Sequence, residues 1–496
     1  MAKEAKAAAQ PQTTEQVGEK TLLDQIVETG RVGTDAATRE RGKSLVKEFI
    51  TQVLEGEVSV SKDTEAMINA RVAQIDHLLS IQLNEIMHHP TFQKLEGTWR
   101  GVKYLISQSE TSAMLKIRVM NVSKKDLLRD LQRAPEFDQS AAFKKVYEEE
   151  FGVFGGQPYG ALIGDYEFSK HPEDLELLEK MAAVAAAAHA PFISAAASQL
   201  LNMDSYTQLD QPRDIGRIFD TTEYAKWKGF RQSDDAKYVC LTCPRVLMRL
   251  PYGRDTVPVD GFNYEEGVDG TDHNKYLWGN AAYALGARMT TAFSQYNWCT
   301  AIRGVEGGGL VEGLPSHAFR TDEGDVAIKC PTEIAITDRR EKELADQGLV
   351  PLVHCKGTDK AAFFSIQSCN KPKVYDSDAA NANARLSAQL PYMMATCRFA
   401  HYLKAMMRDK IGSFLSRDDC SRFLNRWISQ YVTQDDNADQ ATKAQFPLRE
   451  ARVDVEEIKG KPGCYRAISY LRPHFQLDAI SVSLRLVANL PEPAKR

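Results

Sequence analysis

Apolar residues are sparse at the start of the chain and then fall into helical stripes, short buried runs and one alternating strand. Residues 1–20 are rich in Ala, Gln, Thr and Lys and predict a disordered tail. Leu22, Leu23, Ile26 and Val27 then share one face of a short helix that Thr21 can cap, with Asp24 three residues on, and that Gly30 can close. A short apolar stripe in a polar tail is the pattern of a peptide that docks in a groove; a first helix folded onto its own domain is the equal alternative. Two longer helices follow. Leu45, Val46, Phe49, Ile50, Val53 and Leu54 make a broad apolar face on the first. On the second, Ile68, Val72, Ile75, Leu79 and Ile86 recur at steps of three and four, with polar Gln82 where the series expects a hydrophobe. Such seams usually pack on the core of their own chain, and a partner helix in a small bundle is the sharper alternative.

From residue 91 to 370 short apolar runs alternate with helices. Ala161-Leu162-Ile163 reads as a buried strand, Pro172 opens a helix carrying Leu175, Leu178, Met181 and Ala185, and Pro191-Phe192-Ile193 resumes as a strand. This is a βαβ unit and predicts a mixed α/β core. Residues 251–274 are dense in Gly, Asp and Pro and read as a long surface excursion. Residues 371–383 read as a linker to a C-terminal unit over 384–496. In that unit Met393, Cys397, Ala400, Leu403 and Met407 line one helix, and Cys420, Phe423, Leu424, Trp427, Ile428 and Tyr431 line the next. Ile480, Val482, Leu484 and Leu486 alternate with polar residues as a half-buried strand, so this unit is α+β.

Composition narrows the function classes. The 496 residues allow two or three domains, and a net charge of −5 argues against a dedicated nucleic-acid binder. Nine cysteines, thinly spread, suit a reducing compartment. No secretory signal is visible, and the Ala-rich run 181–201, interrupted by His189 and Pro191, falls short of a membrane span. The expected location is the cytoplasm.

Fragments that imitate catalytic motifs fail in their spacing. Gly42-Lys43-Ser44 resembles the end of a P-loop, but Ala37 stands where its first glycine belongs. In the glycine-rich run 304–309, Glu312 occupies the position that would complete a dinucleotide fingerprint, which leaves a flexible or tight turn. Cys240 and Cys243 have metal or redox spacing without a second pair, so buried structural thiols are the better reading. His354 and Cys355, adjacent on a strand, point to opposite faces. His88-His89 is expected to close a helix. Asp260, Asp269 and Asp272 lack calcium-loop order. No catalytic, metal or cofactor site is expected, and a cytosolic enzyme on the α/β core remains only a remote alternative.

Three long ungapped runs carry a family resemblance: HHPTFQKLEGTWRG at 88–101, YEEEFGVFGGQPYGALIGDY at 147–166 and YNWCTAIRGVEGGG at 296–309. Each resembles a stretch of the large subunit of the bacterial type VI secretion sheath, the TssC/VipB (EvpB) family, and the resemblance extends from about Leu22 to the C-terminus. It implies a multidomain contractile-tail-sheath-like fold, α+β and mixed α/β: N-terminal helices over 21–90, a core domain over 91–370, and a C-terminal unit with intersubunit strands. It implies a structural protein that pairs with a small subunit (TssB or VipA), stacks with copies of itself around a tube of Hcp, meets baseplate proteins, and is recycled by an AAA+ unfoldase (ClpV). By matching, Leu22, Leu23, Ile26 and Val27 would anchor the unfoldase. Leu45, Phe49, Ile50, Val53, Ile68, Val72 and Ile75 would pair with the small subunit or a neighbour. Ile480, Val482, Leu484 and Leu486 would form the intersubunit strand. The nearer competitor is the sheath of a phage-tail-like or extracellular contractile injection particle.

Overall fold

The computed structural model describes residues 36–54, 64–211, 214–321, 323–413, 416–435, 437–459, 465–474 and 476. The stripe at Leu22, Leu23, Ile26 and Val27 and the strand at Ile480, Val482, Leu484 and Leu486 lie outside the described residues, as do the side chains of Phe49 and Val53. Two compact units are present, one of Met1–Leu83 with Pro258–Glu265 and one of Asn84–Val257 with Glu266–Arg496.

In the smaller unit, helix α1 spans Ala36–Leu54 and helix α2 begins at Thr64 and runs to Met87. The first starts earlier than Gly42, because Ala36 and Ala37 are strong helix formers. Its Leu45 is 64% exposed, and on α2 Ile68, Val72, Ile75 and Leu79 are 44–50% exposed. The apolar seams therefore do not close on a core of the described chain. The excursion over 251–274 is largely exposed, and it is anchored within this unit where Tyr264 is buried and the Ser80 hydroxyl accepts the Glu265 N–H at 3.3 Å.

The larger unit is built on strands β1 (Leu162–Phe168), β2 (Phe192–Ala196), β3 (Val239–Cys243), β4 (Val246–Leu247), β5 (Trp278–Gly279), β6 (Leu310–Val311), β7 (Ala318–Arg320), β8 (Val326–Ile328), β9 (Leu349–His354), β10 (Ala361–Phe363), β11 (Leu448–Glu457) and β12 (Tyr465–Pro473). Its longer helices include α3 (Pro90–Ser107), α4 (Pro172–Ala188), α5 (Ala282–Tyr296), α6 (Leu390–Asp409) and α7 (Arg417–Ile428). The main sheet has the order β1-β2-β3-β9-β10-β6. Its first four strands are parallel, and β10 runs antiparallel to both neighbours. The expected βαβ unit is β1-α4-β2.

Period-2 alternation sorts the strand residues into two cores. Val239, Leu241, Cys243, Leu349 and Val353 face one that contains α4, while Cys240, Val350 and Leu352 face one that contains α5 and the start of α6. A sheet buried on both sides explains why its strands read as unbroken apolar runs. A third core gathers Phe399 of α6, Cys420, Leu424 and Ile428 of α7, and Val453 and Val455 of the β11–β12 hairpin. The expected linker is partly helical, since Asp378–Ser387 forms a helix whose four alanines favour local winding over an extended link.

Candidate assembly surfaces

The three resemblance runs are packing elements. In the first, α2 ends at Met87, and His89 caps the next helix instead of closing the last one: its ring accepts the Thr91 N–H at 3.3 Å. Pro90 at the first position of α3 has no N–H to satisfy, which is why the chain restarts there. His88 donates from Nε2 to Glu266 at 3.2 Å. Glu266 is 1% exposed and also receives both terminal nitrogens of Arg249 at 2.6 and 2.9 Å and the Tyr252 N–H at 2.8 Å. Glu96 of α3 takes the Arg249 Nε at 2.8 Å and the Arg100 Nε at 2.7 Å. Burial alone would pull the Arg249 pKa down, but the Glu266 and Glu96 carboxylates hold it above its usual value. Removing one partner from such a cluster leaves an uncompensated buried charge, at a cost of about 3–5 kcal/mol.

The second run places a wide π-helical turn, Lys144–Gly152, ahead of β1. Its Phe151 packs edge-on against His401 of α6 with ring centroids 4.9 Å apart, and the Lys404 ammonium lies 3.6 Å from the Phe151 centroid. The His401 Nε2–H donates to the Ala188 carbonyl at the end of α4 at 2.9 Å. The third run sends Trp298 into the C-terminal core, stacked on Phe399 at 4.4 Å. Its glycines make a tight turn: the Gly309 N–H donates to the Gly304 carbonyl at 2.8 Å, and the Gly304 N–H to Phe363 of β10 at 2.7 Å. Gly308 has φ +89°, and a Cβ there would meet the Ala301 carbonyl oxygen at 2.3 Å. The turn is filled by its own backbone.

The expected thiols are also packing elements. Cys240 and Cys243 lie on opposite faces of β3, and burial pushes the Cys243 thiol up to about 12. Among the described residues, no group of three metal-ligating side chains converges, and no helix is long and apolar enough to cross a membrane.

What the larger unit does offer is an open groove. β1 is the edge strand of the sheet. Beyond it, a groove is lined by residues 113–122, by β1 and by one side of α3. Residues 113–122 belong to no helix or strand. Trp99 is 63%, Met114 65%, Val119 65% and Met120 54% exposed along this groove, an apolar concentration that a finished surface rarely shows. Polar contacts hold its rim: Lys116 Nζ donates to Gln157 at 2.9 Å, Tyr166 Oη to the Val122 carbonyl at 2.8 Å, and Arg118 pairs with Glu150. β1 is itself irregular between Ile163 and Glu167, where the Ser194 hydroxyl lies within hydrogen-bond distance of the Gly164 and Tyr166 carbonyls at 2.8 and 2.7 Å. Sequence periodicity gives no sign of the groove, because residues 113–122 alternate like a strand without pairing as one.

Residues 69–370 match the family model described as EvpB/VC_A0108, tail sheath N-terminal domain, and residues 379–490 match that of the EvpB/VC_A0108 tail sheath gpW/gp25-like domain. The chain belongs to the TssC/VipB (EvpB) family. Its members are the large sheath subunits of type VI secretion systems. The type VI secretion system sheath protein TssC1 of Pseudomonas aeruginosa (strain PAO1) is 50% identical over 482 residues, covering 97% of this chain and 96% of the relative. Among solved structures, the anti-feeding prophage baseplate chain aligns with a TM-score of 0.34 at 10% identity, over 63% of this chain and 66% of that one. The contracted anti-feeding prophage sheath aligns at 0.30 with 11% identity, over 62% and 66%. The TssC/VipB chain is thus a sheath protein whose mixed α/β core and α+β C-terminal part are both occupied by packing.

Proposed function

We propose that this sheath subunit pairs with the small subunit TssB/VipA, polymerises with copies of itself around an Hcp tube on a baseplate, and contracts to propel that tube. The observation that carries the pairing is the edge strand β1 beside its exposed apolar groove. An edge strand presents unpaired backbone groups, and an apolar groove next to it favours a partner strand whose side chains fill the groove. The seam of Ile68, Val72 and Ile75, with Leu45, Phe49, Ile50 and Val53 before it, is the second surface for the small subunit or a neighbour. Contraction uses free energy stored at assembly, released as interfaces shift between two discrete packings. The tail stripe at Leu22, Leu23, Ile26 and Val27 serves the unfoldase ClpV, and the strand at Ile480, Val482, Leu484 and Leu486 links subunits. The chain works in the cytoplasm as a structural part and not as an enzyme, without a cofactor.

The test is co-purification of the small subunit with a Val119→Asp, Met120→Asp double variant. Both positions are exposed in the chain alone, so the variant folds normally. The expected result is at least a tenfold loss of captured small subunit, since burying two carboxylates costs well over 1.4 kcal/mol. Undiminished capture by a folded variant overturns the assignment of the groove.

A further inference from the structure

The groove beside β1 runs on past α5 to α6, where Phe293, Met394, Cys397, Arg398, His401 and Tyr402 line it. Its character changes there. Arg398 and Tyr402 are four residues apart on α6 and so share one face. Three other arginines drawn into this unit meet strong acceptors. Arg249 meets Glu266 and Glu96, Arg245 meets both oxygens of Glu333 at 2.7 and 2.8 Å, and Arg231 meets the Cys369 and Asp346 carbonyls at 3.0 and 2.9 Å. Arg398 has no such partner. Its guanidinium lies 4.6 Å from the Tyr402 ring centroid and 5.5 Å from that of Phe293, and its Nη2 donates to the Tyr402 hydroxyl at 2.9 Å. Its Nε is shielded from water without an acceptor, and among the described residues no carboxylate pairs with it.

Nothing in the described chain neutralises that end of the groove. Lys404, on the same helix, lies over the Phe151 ring and donates to the Tyr147 hydroxyl at 3.2 Å, again without a carboxylate. Both cations add to burial in lowering the His401 pKa, which a neighbouring carboxylate would raise. Glu149 and Glu150, which also line the groove, are taken by Lys145 and Arg118. A guanidinium held against two rings is partly stripped of water, so its remaining charge compensation has to come from an anion. Nη1 of Arg398 and the proton of the Tyr402 hydroxyl are the two donors left for it. An apolar approach that ends on one cation and one hydroxyl fits a peptide with apolar side chains and a single carboxylate.

We propose that Arg398 and Tyr402 hold the carboxylate of an Asp or Glu on the small-subunit segment that fills the groove. Arg398 Nη1 donates to one oxygen and the Tyr402 hydroxyl to the other. The inference rests on the groove being the small subunit's site, and it adds that the segment is acidic where it reaches α6.

The full chain, tagged, is co-expressed with the small subunit, and the captured small subunit is measured. Arg398→Met keeps a long side chain against Phe293 and Tyr402 and removes the charge; it should lose at least tenfold of the capture, and Arg398→Lys about threefold or less. Tyr402→Phe keeps the ring and removes the hydroxyl, and should lose about threefold to tenfold. Arg398→Glu should lose capture too, and regain it when one Asp or Glu of the small subunit is changed to Arg. A merely structural role for Arg398 gives no such recovery. Undiminished capture by Arg398→Met, with capture lost by the Val119→Asp, Met120→Asp variant, overturns this inference and leaves the groove reading standing. Undiminished capture by both overturns both. Failure of every Asp or Glu exchange to restore capture by Arg398→Glu overturns the anchor, as does normal capture with no tubes, which would place a second copy of this chain at Arg398.

Discussion

Gly101 of α3 lies so close to Tyr283 of α5 that a Cβ at position 101 would come within 2.3 Å of the Tyr283 ring. Tyr283 is 5% exposed, and its ring has nowhere to go. Gly101→Ala gains helix propensity, about 1 kcal/mol, yet overpacking of a filled contact costs about 1–3 kcal/mol. The variant should therefore melt several degrees lower, while Trp99→Ala, an exposed position on the same helix, should change stability by less than about 0.5 kcal/mol. An unchanged or higher melting temperature for Gly101→Ala contradicts this packing.

His401 sets a pH dependence. Burial, with His189, Arg398 and Lys404 nearby, lowers its pKa from 6.5 to about 4 against the opposing bond to the Ala188 carbonyl. The folded state disfavours the proton, so its contribution is complete above pH 6.5 and is lost as pH falls through about 4. The loss amounts to about 3 kcal/mol. Glu333 titrates in a lower window. Burial raises its pKa, but Arg245 and His273 outweigh burial and hold it at about 2, so its contribution fades only below 4.5. His401→Gln keeps an N–H donor for Ala188 and removes the titration. Chemical denaturation between pH 7 and 5 should show a falling stability for the natural chain and a flatter profile for the variant.

How much of this was legible depends on the range of the interaction. The βαβ unit could be read because Pro172 and Pro191 punctuate it, and the burial of Cys240 and Cys243 because no second cysteine pair stands at metal-ligand spacing. The α2 seam was legible as a period, but periodicity cannot say which chain covers it. Glu266 was hidden in a Gly- and Asp-rich stretch: nothing local shows that Arg249, 17 residues before, will bury it. His88-His89 misled for a similar reason, since one ring reaches Glu266 and the other caps the next helix. Trp298 stands in a run of the expected core segment yet stacks on Phe399 in the C-terminal core, a contact across the expected linker that no local pattern announces.

The tail stripe gives a prediction independent of the fold. Leu23→Asp places a charge among the four proposed anchors, which lie outside the described residues. Sheath assembly should be normal, and binding of the recycling unfoldase should fall by about tenfold or more in a pull-down. Normal unfoldase binding by this variant removes the stripe from that role.

The central claim is that this chain builds a contractile tube together with a small partner. Negative-stain electron microscopy of the chain expressed alone and with the small subunit tests it most directly. The account predicts long hollow tubes on co-expression and none from the chain alone. Globular particles in both samples, with the small subunit confirmed present, would contradict it.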